Sequence, residues 1–237
     1  MHRLLRLGRS AADLAWQAWP QFVRPLALEL TDHRPIREVL PGVHHWTAIH
    51  PRIRVPVDSY FVERGAVLLD PIVPKEGLEW FQQREEVPRQ IVLTNRHHLR
   101  HCVRFADAFG CPIRASEPGL HEFEDGPRVE GFAFGTELAP GITAHEVGAI
   151  CPDDTALHIE TPQGAALAFA DAVQRPRGGG LTFVPGVLMG DDPASVRADL
   201  RASLRGLLDL DFDHLLFAHG DPWIGSGKAA LREFVAG

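Results

Sequence analysis

Three apolar runs in this sequence each end in side chains that could bind a metal ion. The first leads into His97 and His98, the second into Asp171 and the third into His219. Short apolar runs are typical of buried strands, and strands ending at one edge can aim their last side chains at a common point. Imidazoles and a carboxylate gathered in this way could hold a hydrolytic metal ion. The runs cover residues 91–94, 166–170 and 215–218.

The composition is that of an ordinary globular protein. Hydrophobic residues make up 45% of the 237 residues and charged residues 23%, which suits a single core. The formal charge of -7 argues against a nucleic-acid surface, which is normally basic. No apolar stretch approaches the roughly 18 to 20 residues that span a bilayer. We therefore expect a small-molecule substrate, no nucleic-acid partner and no membrane span, and the sequence leaves a homodimer open.

The cysteines indicate a reducing compartment. Cys102, Cys111 and Cys151 form no paired framework, which favours a cytoplasmic protein. Cys102 and Cys111 are predicted to be buried thiols rather than nucleophiles. The basic start, Met1–Arg9, lacks the long apolar core and cleavage site of a signal peptide.

The chain divides into a predicted helical extension, residues 1–38, and one domain, residues 39–237. Prolines interrupt the extension at Pro20, Pro25 and Pro35. Its apolar residues recur at helical spacing, which predicts an amphipathic helix. That helix either docks on the domain or, given its arginines, lies on a membrane surface. The apolar residues are Leu4, Leu7, Ala11, Leu14 and Ala15.

The domain is predicted to alternate strands with helices, which is typical of a layered α/β protein rather than a bundle. Glu63–Gly65 predicts a hairpin turn, and Asp192 followed by Pro193 predicts a capped helix start. Gly110 and Pro112 predict a helix end. Predicted strands cover residues 55–62, 66–69, 90–94, 142–145, 155–159, 165–169 and 215–218, and predicted helices cover 75–84, 99–109, 193–207 and 228–235, with residues 116–128 rich in loops.

From Val43 onward, this order of elements resembles the metallo-β-lactamase fold superfamily, an αββα sandwich of metal-dependent hydrolases. Val67–Asp70 looks like that family's early strand ending in Asp. Phe169–Asp171 looks like the strand that ends in its metal-bridging Asp, and Ala218–Gly220 looks like the turn with its last histidine ligand. The resemblance implies the αββα fold and a metal-dependent hydrolytic activity.

The central family motif, HxHxDH, is altered here. Asn95 stands where a ligand histidine would be, and Ile150 stands at the position of the histidine in a Gly-rich turn. One of the two usual metal sites is therefore expected to be lost. The resemblance leaves one zinc or iron ion, held by His97, His98, Asp171 and His219.

Other ligand sets remain open. A shifted alignment makes His98 and His101 the ligands, because residues three apart share a helix face. The preferred alignment leaves His101 facing solvent. His145 could substitute for the lost histidine. The remaining early histidines, His44, His45 and His50, are expected at the surface or a strand edge.

The predicted reaction is hydrolysis of an ester, thioester, lactone or phosphoester. Asp171 would serve the metal centre, and Arg96 or Arg100 would supply fixed positive charge in place of a second ion. Gly178–Gly180 should form a mobile loop beside the cleft, where Arg175 and Arg177 would favour an anionic substrate. The rival hypothesis is a metal-free, catalytically inactive scaffold or binding protein with the same fold.

Overall fold

The computed structural model describes residues 33–237, and within them the chain forms twelve β-strands and four α-helices. Most of the predicted helical extension, including its amphipathic helix, therefore lies outside the described residues. No helix within residues 33–237 is long and apolar enough to cross a membrane.

The first sheet has seven strands arranged in chain order. The first four form an antiparallel meander, and the fourth to seventh are parallel to one another. The strands are β1 (Arg34–Leu40), β2 (Val43–Ile49), β3 (Pro56–Val62), β4 (Val67–Leu69), β5 (Gln90–Val92), β6 (Ile113–Ser116) and β7 (Val129–Phe132).

The second sheet has five strands in the order β12-β11-β10-β9-β8. Its neighbours are antiparallel except β11 and β12, which run parallel. The strands are β8 (Glu137–Ala139), β9 (Ile142–Glu146), β10 (Thr155–Ile159), β11 (Ala166–Phe169) and β12 (His214–Phe217).

Four α-helices connect or follow the strands: α1 (Glu79–Gln82), α2 (Cys102–Phe109), α3 (Pro193–Leu207) and α4 (Gly227–Ala236). The start of α3 is as predicted. Asp192 accepts a hydrogen bond from Ser195 N at 3.0 Å, and Pro193 occupies the first turn.

The alternation of side chains along β4 shows how the layers are packed. Val67 and Leu69 belong to a core that gathers residues from both sheets, whereas Leu68 belongs to the core that includes the helices. In β11, Ala168 belongs to the core between the sheets and Leu167 to the core that includes the helices. Two facing sheets are thus covered by helices, and the predicted αββα class is confirmed.

Several predicted boundaries are wrong. Residues 34–38 belong to β1 rather than to a helical extension. A proline such as Pro35 is tolerated in this strand because β1 lies at the edge of the sheet, where several charges are also found. The helix predicted over 75–84 is only the single turn Glu79–Gln82. Strands β6, β7 and β8 were not predicted, and each has only three or four residues.

Candidate metal centre

Two parallel strands of the second sheet deliver Asp171 and His219 to the same edge. Phe169, which ends β11, pairs with Phe217, which ends β12. Asp171 and His219 each follow two residues after the paired phenylalanines. Equal offsets from one register point place the two side chains beside each other.

His98 comes from the first sheet through one turn of 3-10 helix. After β5 the chain reverses at Asn95, whose side-chain oxygen accepts the backbone N–H two residues later at 2.9 Å and caps the helix Arg96–His98. Thr155 N of β10 donates to Thr94 O at 2.9 Å. This bond ties the turn to the second sheet and brings His98 over the ends of β11 and β12.

His98, Asp171 and His219 form a compact group of potential ligands. One ligand atom of each lies within 4.8 Å of the others. His98 Nε2 lies 3.5 Å from Asp171 Oδ2, and His219 Nε2 lies 3.2 Å from Asp171 Oδ1. Among residues 33–237, neither of these nitrogens and neither carboxylate oxygen has a hydrogen-bond partner. These four buried atoms are therefore available to bind an ion.

The spacing suits ligands of one ion better than hydrogen bonds. Ligands bound tetrahedrally to zinc at about 2.0 to 2.1 Å lie about 3.3 to 3.4 Å from each other. The separations of 3.5 and 3.2 Å, which run to different oxygens of the Asp171 carboxylate, lie near that value, and both exceed the usual N–H···O distance of about 2.9 Å. Two imidazoles with one carboxylate are a common donor set for catalytic zinc and for non-haem iron. The donor set fits zinc or iron.

Asp70, at the end of β4, orients the imidazole of His98 through its Nδ1 atom. Asp70 Oδ2 lies 2.9 Å from His98 Nδ1, and Asp70 Oδ1 accepts Thr94 N at 2.8 Å. The carboxylate accepts the Nδ1 proton, which leaves the Nε2 lone pair directed toward Asp171 and His219. The carboxylate thereby selects the tautomer that can bind an ion. The sequence analysis identified Asp70 as a strand end but not as the partner of a ligand.

Without an ion, the charged groups of the centre stabilise one another's charged forms. Burial disfavours a charged His98, but the carboxylates of Asp70 and Asp171 outweigh it and raise the pKa of His98 to about 9. Burial also opposes the charge on Asp171, but the imidazoles of His98 and His219 hold its pKa well below the usual range. Below pH 9 an ion must therefore displace a proton from His98.

Asp154 adds a second buried carboxyl group that the sequence analysis missed. Burial, followed by the neighbouring carboxylates of Asp171 and Asp153, raises the pKa of Asp154 well above its usual range. These surroundings favour the neutral acid form of the Asp154 side chain beside the candidate ligands. The adjacent pair Asp153-Asp154 before an apolar strand was the only sequence signal for it.

No protein-family model matches the sequence, and no curated protein does either. Solved structures do match. A B3 metallo-β-lactamase with an active-site glutamic acid is 19% identical with a TM-score of 0.60, covering 90% of this chain and 92% of its own. A metallo-β-lactamase from Pontibacter korlensis is 16% identical with a TM-score of 0.62, covering 86% and 97%. This chain has the metallo-β-lactamase fold. A third match, determined in a di-iron-bound form, is 23% identical with a TM-score of 0.53, covering 73% and 92%.

Within this fold, the region of the altered motif is filled by protein groups. Asn95 Nδ2 donates to Cys151 Sγ at 3.0 Å, which joins the altered motif to the turn that carries Ile150. Burial raises the pKa of the Cys151 thiol well above its usual range, so it stays a neutral thiol. The alignment expected from the sequence would place imidazoles here, and the structure has an amide bound to a neutral thiol.

Arg96 lies in the same region. Its guanidinium forms an ion pair with Asp153, and Asp153 Oδ2 also accepts Arg96 N at 2.6 Å. The Arg96 side chain is 5% exposed and that of Asp153 is 1% exposed. Arg96 was predicted to be catalytic, and the structure places its charge against Asp153 inside the protein.

His97 lies outside the group of candidate ligands, although it was predicted as one of them. The reason is the 3-10 helix Arg96–His98. With three residues per turn, successive side chains on such a helix point about 120° apart. The two side chains therefore leave the helix in different directions, and only His98 is brought into the group.

The other candidate residues have structural partners. His101 is partly buried, and its Nδ1 accepts Val73 N at 3.1 Å, whereas the ring of His145 lies 6.4 Å from that of His158. Neither belongs to the candidate ligand group. His44 and His45 are buried rather than exposed and contact the carboxylates of Glu63 and Asp58 at 2.9 and 2.8 Å.

Arg175 also has a structural role. Its Nη1 donates to Pro222 O at 2.7 Å, its Nε donates to Gly179 O at 3.2 Å, and its guanidinium lies over the Trp223 ring. The prediction that Arg175 attracts an anionic substrate is not supported by these contacts. They tie the glycine-rich segment to the chain that follows His219.

Proposed function

We propose that this protein is a metal-dependent hydrolase with a single zinc or iron ion held by His98, Asp171 and His219. The observation that carries the proposal is the set of four buried, unpartnered donor atoms at ligand-like separations among the described residues. The substrates would be small esters, thioesters, lactones or phosphoesters. The fold supports this class, since matching structures are described as metallo-β-lactamases and one as a di-iron-bound form.

In this proposal the ion, when bound, supplies Lewis acidity and lowers the pKa of a water molecule to about 7. The protein's own groups prepare the site for it. Asp70 holds the Nδ1 proton of His98 and so keeps Nε2 free as a donor. Asp171 is 0% exposed and His98 3%, so little water competes for their donor atoms. His219, with a side chain 12% exposed, lies at the open side of the group.

A single ion follows from the groups that replace the second site. Asn95 is bound to Cys151, and Arg96 is neutralised by Asp153. These contacts leave an amide, a neutral thiol and an internal ion pair where further ligands would be needed. Cys102, Cys111 and Cys151 are all buried free thiols, which supports our proposal of a reducing, cytoplasmic location.

The alternative function, a metal-free scaffold, is favoured by one observation. Asp70, His98, Asp171 and His219 can hold one another as an ion-pair network without an ion, because the carboxylates raise the pKa of His98 to about 9. The metal-bound function is favoured instead by the four buried donor atoms of the same group that have no hydrogen-bond partner among the described residues.

Hydrolysis by the full chain tests the proposal. We expect chelator-treated protein to be inactive on a panel of thioesters, lactones and phosphodiesters, and zinc or iron(II) to restore turnover of at least one class. Asp171→Asn should abolish that turnover. His145→Ala, which deletes an imidazole outside the group, should keep it. Turnover that survives chelation or the Asp171→Asn substitution would overturn the proposal, and no turnover with any metal would favour the scaffold.

A further inference from the structure

The turn that carries His219 is held on both sides by one residue of β3, Asp58. Asp58 N donates to Ala218 O at 2.9 Å, and Gly220 N donates to Asp58 Oδ2 at 2.7 Å. These two bonds attach to the residues immediately before and after His219. Asp58 is 3% exposed, so water does not compete for either bond.

The carboxylate of Asp58 is itself fixed by β2. Its Oδ1 accepts Thr47 Oγ1 at 2.7 Å and lies 2.8 Å from His45 Nε2. Both partners are buried, with His45 at 0% exposure. A carboxylate held at Oδ1 can present Oδ2 to Gly220 in only one direction. The first sheet therefore determines the position of a turn that belongs to the second sheet.

Arg100 adds a second set of bonds at the same point. Its Nη1 donates to Asp58 O at 2.6 Å and to Asp70 O at 2.8 Å, and its Nη2 donates to Ala218 O at 3.3 Å. One guanidinium thus joins the ends of β3 and β4 to the turn that carries His219. The predicted role of Arg100 as charge for a substrate is replaced by this structural one.

The opposite side of the turn is closed by the backbone at Arg175. Arg175 N donates to His219 O at 3.1 Å. Gly220 has a φ of +118°, and a Cβ there would lie 1.9 Å from Arg175 O. No side chain fits at Gly220, because the Arg175 backbone lies directly against it. The turn is therefore held by Arg175 on one side and by Asp58 and Arg100 of the first sheet on the other.

We propose that Asp58 is a positioning residue of the metal centre, which sets the place of the His219 imidazole relative to Asp171, and that Arg100 assists it. This inference rests on the proposed metal-dependent function. Asp58 touches no candidate ligand side chain and acts only through the backbone on either side of His219. A small shift of that backbone would change the 3.2 Å separation of His219 Nε2 and Asp171 Oδ1.

The test is metal binding by Asp58→Asn. An asparagine has one acceptor oxygen. If that oxygen faces Gly220 N, the NH2 group faces Thr47 and His45, which must then accept instead of donate, and a neutral amide oxygen holds Gly220 N less strongly than a carboxylate does. We expect zinc affinity to fall about 10- to 100-fold, the usual effect of losing a residue that orients a ligand. The visible spectrum of the cobalt(II)-substituted protein should also change, because it reports ligand geometry. Asp192→Asn, the same substitution at a carboxylate that caps α3, should leave affinity and spectrum unchanged.

A second variant and a measurement on the metal-free protein distinguish failure of the positioning role from failure of the proposed function. Arg100→Lys keeps the charge but cannot reach three carbonyls at once, so it should weaken zinc binding less than Asp58→Asn does. Amide hydrogen exchange at Gly220 should be faster in metal-free Asp58→Asn than in the unmodified protein. Normal zinc affinity and cobalt spectrum in both variants would overturn the positioning role. If the unmodified protein binds neither zinc nor cobalt(II), the proposed function is wrong. Equal Gly220 exchange rates in the variant and the unmodified protein would then also refute the claim that Asp58 fixes the turn.

Discussion

Removing the carboxylate of Asp153 should destabilise the protein strongly, although no metal is involved. The side chains of Arg96 and Asp153 are 5% and 1% exposed, and Asp153 Oδ2 also accepts Arg96 N. Removing one partner of a buried ion pair costs about 3 to 5 kcal/mol, because the remaining charge stays buried. We expect the free energy of unfolding of Asp153→Ala to fall by this amount.

Urea unfolding of the metal-free protein measures the effect. With a denaturant slope of about 3 kcal/mol/M, the midpoint should fall by about 1 to 2 M. Arg96→Met, which leaves the carboxylate buried alone, should cost a similar amount. The double variant should cost less than the sum, with a coupling energy of about 2 kcal/mol or more. Single losses below about 1 kcal/mol that simply add would refute the role of this buried ion pair in stabilising the fold.

Two further predictions concern groups beside the ligands. Asp70→Asn should lower zinc affinity about 10- to 100-fold, because an amide facing Nδ1 favours the His98 tautomer with a proton on Nε2; normal affinity in a chelator competition would contradict it. Burial and then the charge of Arg100 lower the pKa of His50 from 6.5 to about 3, so the folded protein keeps His50 neutral while the unfolded chain takes up a proton. The stability that this provides is present above pH 6.5 and is lost as the pH falls toward 3. His50→Asn keeps an acceptor for the N–H groups two and three residues on and should flatten that decline in urea titrations, whereas an unchanged decline would rule out this source.

Much of the fold followed from local patterns. The hairpin around Glu63–Gly65 and the cap at Asp192 depend on neighbouring residues only, and both are present. The strand β1 escaped prediction because Pro35 is also a helix breaker, and only its position at the sheet edge shows which role applies. Strands of three or four residues have too few alternations to give a periodic signal.

Of the candidate site, only the residues that follow the ends of strands could be predicted from the sequence. Asp171 and His219 follow parallel strands, so their convergence could be expected. His97 lies outside the ligand group because the connection between the predicted strand and helix forms a 3-10 turn, which the sequence did not predict. Arg96 and Asp153 are 57 residues apart. No local pattern predicts a long-range pair of that kind, and it changes the role of Arg96.

Metal stoichiometry tests the central claim most directly. We expect the purified full chain, stripped and then titrated with zinc or iron(II), to bind one equivalent per chain tightly by elemental analysis. His98→Ala, Asp171→Ala and His219→Ala should each lose that ion, whereas His97→Ala should retain it, because its imidazole lies outside the ligand group. Two equivalents in the unmodified protein, none at all, or full retention by His219→Ala would contradict a single ion held by these three residues.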